Sequence, residues 1–179
     1  NTTSHFLKNG ANDYIAKPYS RDEFYARVYH NIKEVNLFDT MRNKFDDDII
    51  NLLCEITEYK DLETGSHIKR ITEYTTILAR AMGLLDDEVK LISKMSALHD
   101  IGKVSTPDAI LNKPSSLTPE EFEVIKEHTT NGLNLLLKAF KSDPKMGTVA
   151  MEIAYSHHER FDGTGYPQGL KGDEIPLCA

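Results

Sequence analysis

The sequence predicts an all-α protein, and two observations support this fold class. Apolar residues recur at spacings of three and four along most of the chain, whereas no sustained two-residue alternation follows Leu62. Glycine, proline and short polar runs separate these periodic stretches, as expected of turns between helices. With 179 residues, 40% of them hydrophobic, the chain can form one domain with a buried core and an attached segment.

The first part of the chain, residues 1–36, has the pattern of the end of another domain. Phe6–Gly10 is typical of a helix closed by glycine, and Asp13–Ala16 of a short strand before Lys17-Pro18. Ser20 then provides an N-cap for an amphipathic helix. This helix has no internal stop signal and can continue to Ile56, so residues 37–60 are predicted to form a helical connector.

Four further helices are predicted in residues 61–179. Thr118 caps the third of them, with proline in the first position and acidic residues at the positive end of the helix dipole. After His158 the sequence is rich in glycine, which predicts loops that bring backbone amides close to a ligand. The predicted helices are Ser66–Met82, Asp86 to about Leu98, Pro119 to about Lys141, and Lys145 to about His157.

Composition excludes several classes of partner. The chain has 28 acidic and 21 basic residues, and its net charge of −7 disfavours nonspecific binding to nucleic acid or to an anionic membrane. No apolar run approaches membrane-spanning length, and the first residues do not resemble a secretion signal. Cys54 and Cys178 are too few for a disulfide framework or a zinc site, which fits a cytoplasmic protein.

Histidines and carboxylates are the most informative residues. Imidazole and carboxylate are ligands that divalent metals prefer, and Asp100 can bridge two ions through its two oxygens. Taken singly, each histidine has an ordinary explanation as a helix residue, and a histidine–aspartate pair can be a simple cap. The joint pattern favours a dinuclear metal site. The histidines within or at the ends of predicted helices are His67, His99, His128, His157 and His158.

Two long motifs resemble the HD-GYP family. They are His99-Asp100-Ile101-Gly102-Lys103 and His157-His158-Glu159-Arg160-Phe161-Asp162-Gly163-Thr164-Gly165-Tyr166-Pro167. The segments Glu63–Arg70, Pro107–Leu111, Leu117–Glu121 and His128–Gly132 are similar to that family as well. The resemblance covers residues 61–179. It implies an HD-superfamily helical bundle that hydrolyses the bacterial second messenger cyclic di-GMP to pGpG, and often on to GMP, with iron or manganese.

The resemblance also implies roles for individual residues. Two ions, or three, are expected: the first held by His67, His99 and Asp100, the second by Asp100, His128, His157 and His158, and a third with Glu63 as a ligand. Lys103 would hold the scissile phosphate, which makes it a catalytic residue together with Asp100. Gly163, Gly165 and Tyr166 would shape the substrate side of the site or contact a partner such as a diguanylate cyclase.

One ligand of the family has no counterpart here. The family has a further metal-binding aspartate beyond the position of Ile175–Leu177, followed by basic residues that help to bind substrate, whereas this sequence ends at Ala179. We therefore expect the sequence to be a truncated HD-GYP domain.

The N-terminal residues resemble the end of a response-regulator receiver domain. Gly10–Ile15 leads to Lys17-Pro18, like the lysine and the often cis proline after the last receiver strand, and Lys17 would contact the phosphorylated aspartate. This implies control by a sensor histidine kinase through the helix from Arg21 toward Ile56. The connector helix further predicts a homodimer. An ordinary turn at Lys17-Pro18 is the alternative interpretation.

Three functions are compatible with these residues. The leading hypothesis is a metal-dependent cyclic di-GMP phosphodiesterase under two-component control. The second is a cyclic di-GMP-responsive binding or scaffold module with an incomplete metal site. The third is an HD-superfamily phosphohydrolase of another nucleotide, against which the Gly163–Pro167 segment argues.

Overall fold

A computed structural model describes residue 5, residues 8–61 and residues 66–179. The described residues form helices joined by loops, which confirms the all-α prediction. The chain divides into two compact units, Asn1–Ile49 and Ile50–Ala179. The functional boundaries at residues 36 and 60 stay a prediction. No helix in the described ranges combines the length and the apolar character needed to cross a membrane.

The first unit is dominated by the start of helix α1, Arg21–Asp61, which the Ser20 hydroxyl caps by accepting a hydrogen bond from the Glu23 amide at 3.1 Å. The Lys17–Pro18 peptide bond before it is cis. The predicted strand Asp13–Ala16 is wrong, because these residues form no strand in the described part of the chain. A single extended segment without a neighbouring strand has no ladder to join. Phe6 and Leu7, in the helix predicted before it, lie outside the described residues.

The second unit contains the remaining helices. They are α2 (Ser66–Ala81), α3 (Asp86–Ser96), the 3-10 helix η1 (Ile101–Ser105), α4 (Asp108–Leu111), α5 (Pro119–Ala139), α6 (Pro144–Ser156) and the 3-10 helix η2 (Gly172–Glu174). Each of the four predicted helices is present, with ends within about two residues of the expected ones. The short helices η1, α4 and η2 are not predicted from the sequence because so few residues carry no periodic pattern.

Capping residues explain where α5 and α6 begin. The Thr118 hydroxyl accepts a hydrogen bond from the Glu121 amide at 3.2 Å, and the Glu121 carboxylate accepts one from the Thr118 amide at 2.8 Å, which completes a capping box. At the start of α6, the Asp143 carboxylate accepts a single capping hydrogen bond from the Met146 amide at 3.1 Å. Both helices have proline in their first turn, where no amide donor is required.

The core of the second unit joins α1, α3, α5 and α6. Helix α5 packs against both α6 and η1, while α3 packs against α2 and α6. The last turn of α3, η1, the middle of α5 and the end of α6 are thereby brought to one side of the core. The buried apolar residues are Ile50, Cys54, Met95, Leu98, Ile101, Leu136, Ala150, Ile153 and Ala154.

Candidate metal centre

Four predicted metal-binding side chains converge from three separate parts of the chain. Asp100 follows α3 at the start of η1, His128 is buried within α5, and His157 and His158 follow the last residue of α6. One ligand atom from each of the four lies within 4.8 Å of those of the other three. Adjacent histidines can reach one centre here because α6 ends at Ser156 and both histidines lie in the turn that follows it.

The two carboxylate oxygens of Asp100 face different neighbours. Oδ2 lies 3.0 Å from His99 Nε2 and 2.9 Å from Lys103 Nζ. Oδ1 lies 3.3 Å from His128 Nε2 and 3.5 Å from His157 Nε2, and it is buried without a hydrogen-bond partner among the described residues. This arrangement suits a carboxylate that bridges two cations.

Backbone carbonyls orient the imidazole rings. A carbonyl oxygen only accepts hydrogen bonds, so each Nδ1 that contacts one must donate, which leaves Nε2 to face Asp100. The sequence does not reveal these contacts, because they depend on the geometry of helix ends. The pairs are His99 with Ser96 at 2.9 Å, His128 with Ile125 at 2.7 Å, and His157 with Ile153 and Ala154, each at 3.1 Å.

The pKa shifts at this centre favour the ligand forms of Asp100, His128 and His158. Burial lowers the pKa of His99, but the hydrogen bond to Asp100 outweighs it and raises that pKa. Burial raises the pKa of Asp100, but the neighbouring His157, His99 and Lys103 outweigh it and hold that pKa well below its usual range. Burial lowers the pKa of His128, and burial together with the other histidines lowers the pKa of His158 to about 4. The carboxylate is therefore charged and these imidazoles are neutral at pH 7.

These residues fit a divalent cation. In the tautomer set by the backbone, a neutral His128 or His157 directs the lone pair of Nε2 inward, and the two Nε2 atoms are 3.2 Å apart. Both face the unpartnered Oδ1 of Asp100. Three electron-rich atoms this close repel one another unless a cation or a proton lies between them.

The structure also places His67 beside the cluster. Its ring centroid is 5.8 Å from that of His99, whose centroid is in turn 5.2 Å from that of His157. Glu63, predicted as a ligand of a third ion, lies outside the described residues.

The loop after α6 packs directly on the cluster. The Tyr166 ring stacks on the His158 ring, with centroids 4.6 Å apart and an angle of 19° between the planes. A Cβ atom at Gly165 would lie 2.4 Å from the Arg160 amide nitrogen and 2.6 Å from the His158 carbonyl oxygen, so only glycine fits there. Gly163 adopts a positive φ of 80° in the turn of the same loop.

Glu159 braces this loop and is not predicted from the sequence. Its Oε1 accepts a hydrogen bond from the Gln168 amide at 2.7 Å, and its Oε2 accepts one from the Leu170 amide at 3.0 Å. The one feature of the sequence that draws attention to Glu159 is its position directly after His158. That position suggests a metal ligand as much as a residue that supports the loop. The contacts instead make Glu159 a support for the loop that carries Tyr166.

Comparison with known proteins finds a matching domain family and several similar phosphodiesterases. The HD domain family matches residues 51–179. A cyclic di-GMP phosphodiesterase of Thermotoga maritima is 35% identical over 196 aligned residues, covering 96% of this chain and 52% of the relative. The cyclic di-GMP phosphodiesterase response regulator RpfG of Xanthomonas campestris is 38% identical, covering 73% of this chain and 34% of the relative.

A third relative differs in its substrate. The 3'3'-cGAMP-specific phosphodiesterase 2 of Vibrio cholerae is 38% identical, covering 81% of this chain and 27% of the relative. The chain therefore spans about half, or less, of the length of these curated relatives.

Proposed function

Because this chain belongs to the HD domain family and has the HD-GYP motifs, we propose that it is a metal-dependent phosphodiesterase of cyclic di-GMP. The observation that carries the proposal is the convergence of Asp100, His128, His157 and His158, with ligand atoms within 4.8 Å of one another. The names of the Thermotoga and Xanthomonas relatives support the choice of substrate.

Two or three iron or manganese ions are the cofactors that we propose. His67, His99 and Asp100 would hold one ion, Asp100, His128, His157 and His158 a second, and Glu63 would contribute to a third. When bound, the ions would activate the attacking water and neutralise phosphate oxygens. Imidazole and carboxylate ligands suit both metals, so the ligand set does not choose between iron and manganese.

The chain's own residues have distinct tasks in the reaction. Hydrolysis forms a bond between phosphorus and the water oxygen, breaks a bond between phosphorus and a ribose oxygen, and delivers a proton to that leaving oxygen. Lys103, whose Nζ is 2.9 Å from Asp100, would hold the phosphate and offset its charge during bond cleavage. Tyr166 would keep the His158 ring in place and, with Gly163 and Gly165, border the substrate.

A hydrolysis assay tests the proposed activity. Cyclic di-GMP should be converted to pGpG, and in part to GMP, by protein purified without oxygen and supplied with Fe(II) or Mn(II), and a chelator should stop the reaction. Metal binding and cyclic di-GMP binding without turnover would contradict the enzyme and favour the binding or scaffold module.

A second substrate must be tested in the same assay. The relative from Vibrio cholerae is specific for 3'3'-cGAMP, a cyclic dinucleotide with the same type of scissile bond. We expect a higher kcat/KM for cyclic di-GMP than for 3'3'-cGAMP. The reverse order would assign this chain to the cGAMP-specific group, and turnover of neither would leave an HD phosphohydrolase of another nucleotide.

Replacement of Lys103 by methionine should lower kcat/KM by about 10²- to 10³-fold, because a cation beside the scissile phosphate would be lost. The manganese content of the protein should stay unchanged, since the proposed role of Lys103 is to bind substrate. Lys90→Met, on the exposed side of α3, is the matched control. If Lys103→Met loses metal in proportion to activity, Lys103 acts through the position of Asp100 and not on the substrate.

We propose that the hydrolytic activity is regulated through α1. The Cys54 thiol donates a hydrogen bond to the Ala97 carbonyl at 3.4 Å, and Lys60 Nζ donates one to the Val104 carbonyl at 2.6 Å. These two carbonyls lie on either side of Asp100 in the sequence, so a shift of the α1 end would reach the centre from both sides.

The proposed input is a receiver domain whose last part is residues 1–36, phosphorylated by a sensor histidine kinase. The hydrolysis rate of a protein that includes the whole receiver, measured before and after phosphorylation, gives the sign of regulation. An unchanged rate would contradict this route. A diguanylate cyclase that contacts the Gly163–Pro167 loop is a further proposed partner.

We also propose that two copies of the chain pair through α1. Apolar residues spaced alternately by four and three residues are a coiled-coil pattern, and those on α1 are exposed, Phe45 by 63%. The residues in this pattern are Phe45, Ile49, Leu52, Ile56 and Tyr59.

Replacing Phe45 and Ile49 together by glutamate should convert a dimer to a monomer, because four buried like charges would oppose pairing. Sedimentation should then report the mass of one chain instead of two. Asn43→Glu with Asn51→Glu adds the same charge on the opposite side of α1 and should leave the dimer intact. A monomeric wild-type protein, or dissociation of both variants alike, would contradict pairing through this face.

A further inference from the structure

A small cavity lies beside the candidate metal centre, between the end of α1 and the His99–Asp100 turn. Its volume of about 10 Å³ has room for one water molecule or one ion. Its lining includes a carboxylate that none of the motifs contains, Glu58. The lining residues are Thr57, Glu58, His67, Ile68, Ala97, His99 and Asp100.

Two residues that line this cavity each have a buried carboxylate oxygen without a hydrogen-bond partner in the described part of the chain. Among the described residues, the buried side-chain atoms without a hydrogen-bond partner are Glu58 Oε1 and Asp100 Oδ1, and both side chains line the cavity. A buried carboxylate oxygen without a donor destabilises a protein unless a cation or a bound water satisfies it. Asp100 Oδ1 faces His128 and His157. Glu58 Oε1 is therefore the unsatisfied oxygen that the cavity itself adds, and it indicates that an electropositive group belongs there.

The charge balance agrees with this interpretation. Lys103 offsets the charge of Asp100 at a distance of 2.9 Å, so Asp100 alone leaves little net negative charge for a cation. Glu58 adds a second carboxylate to the cavity walls. Two imidazoles and two carboxylates form a donor set that suits iron or manganese.

The position of Glu58 is held by the packing of α1. Cys54, one helical turn earlier, is buried and donates its hydrogen bond to Ala97 at 3.4 Å, and Lys60, two residues later, donates to Val104 at 2.6 Å. Contacts on both sides therefore fix this stretch of α1 against the two ends of the His99–Asp100 turn.

We propose that Glu58 supplies the second carboxylate of the ion site formed by His67, His99 and Asp100. This inference rests on the proposed metal-dependent function, and it adds a residue outside the ligands implied by the HD-GYP motifs. Glu58 completes the negative charge around the ion and fixes the ion against α1. Its contribution is to metal affinity, and only through the metal to the rate.

Metal binding by Glu58→Gln tests the proposal without reference to turnover. Glutamine keeps the size of the side chain and removes its charge. After dialysis against Mn(II), elemental analysis should find about one ion fewer per chain, or titration should give an affinity about 10- to 100-fold lower. Glu55→Gln, an exposed residue on the same helix, is the matched control and should bind as wild type does.

Thermal unfolding of the metal-free proteins separates ion binding from folding. Metal-free Glu58→Gln should be at least as stable as metal-free wild type, because it replaces a half-buried carboxylate whose Oε1 has no hydrogen-bond partner among the described residues. Added Mn(II) should raise the melting temperature of wild type more than that of the variant.

Three results would overturn the role of Glu58. Equal metal content and affinity in both proteins would show that it is not part of the site. An unfolded metal-free variant would make Glu58 a structural residue. Wild-type protein that binds no metal would remove the metal centre itself, and with it the proposed function, whereas the first two results leave that function intact.

Discussion

Replacing Asp100 by asparagine should abolish hydrolysis of cyclic di-GMP, with kcat/KM reduced by about 10³-fold or more. One oxygen of Asp100 faces His99 and Lys103, and the other faces His128 and His157 at 3.3 and 3.5 Å. A neutral amide presents one weaker acceptor in place of two charged ones. Both ion sites therefore lose their shared ligand at once, and elemental analysis should find the metal content reduced together with the rate.

The control for this variant is Asp87→Asn at the start of α3, where the side chain is 88% exposed. It makes the same chemical change away from the centre and should retain metal and activity. Circular dichroism should show both variants folded. If Asp100→Asn keeps its full metal content and only the rate falls, Asp100 acts on the substrate and does not bridge the ions.

Replacing Gly102 by alanine should cause the largest loss of stability, with the free energy of unfolding lower by about 3 kcal/mol or more. A Cβ atom at Gly102 would lie 1.8 Å from the His128 carbonyl oxygen and 2.5 Å from the Gly132 amide nitrogen. Both are backbone atoms of α5, so no side-chain rotation can relieve the clash. Helix η1 must move away from α5, which separates Asp100 from His128 and weakens metal binding as well.

Urea denaturation of the metal-free protein measures this effect, since it excludes any contribution from bound ions. Gly132→Ala is the matched control: its Cβ would lie 3.3 Å from Ala154 Cβ and 3.4 Å from the Gly102 amide nitrogen. It should change stability by less than about 1 kcal/mol, because the helix preference of alanine offsets the tighter contact. Equal stabilities for the two variants would mean that η1 and α5 can separate at no cost.

The predicted helices agree with the observed ones where the sequence signal comes from residues close together in the chain. Pro119 begins α5 as expected because Thr118, Pro119 and Glu121 act within one helical turn. The long α1 agrees as well, since its apolar spacing continues without a stop signal. The strand at Asp13–Ala16 failed because a strand depends on pairing with a distant segment, which sequence spacing does not contain.

Some features of the site could be identified only from the folded structure. Gly102 lies in the His99–Lys103 motif, but its close contact with the α5 backbone follows from the packing of η1 on that helix. Glu58 and Glu159 are two of 28 acidic residues: nothing in the spacing of Glu58 distinguishes it, and the position of Glu159 after His158 suggests a ligand as much as a support. Their roles depend on which cavity or backbone amide they face.

The helical class of this protein, the starts of its long helices, and the hypothesis that the histidines and Asp100 of the HD-GYP motifs bind metal all come from the sequence. These properties depend on neighbouring residues and on the chemistry of individual side chains. The folded chain was needed to show that His128 in α5 meets His157 after α6, that each oxygen of Asp100 faces a different group, and that Glu58 borders a cavity with His67, His99 and Asp100. Such contacts join residues far apart in the chain, and they are set by the packing of helices around a shared core, which no local pattern records.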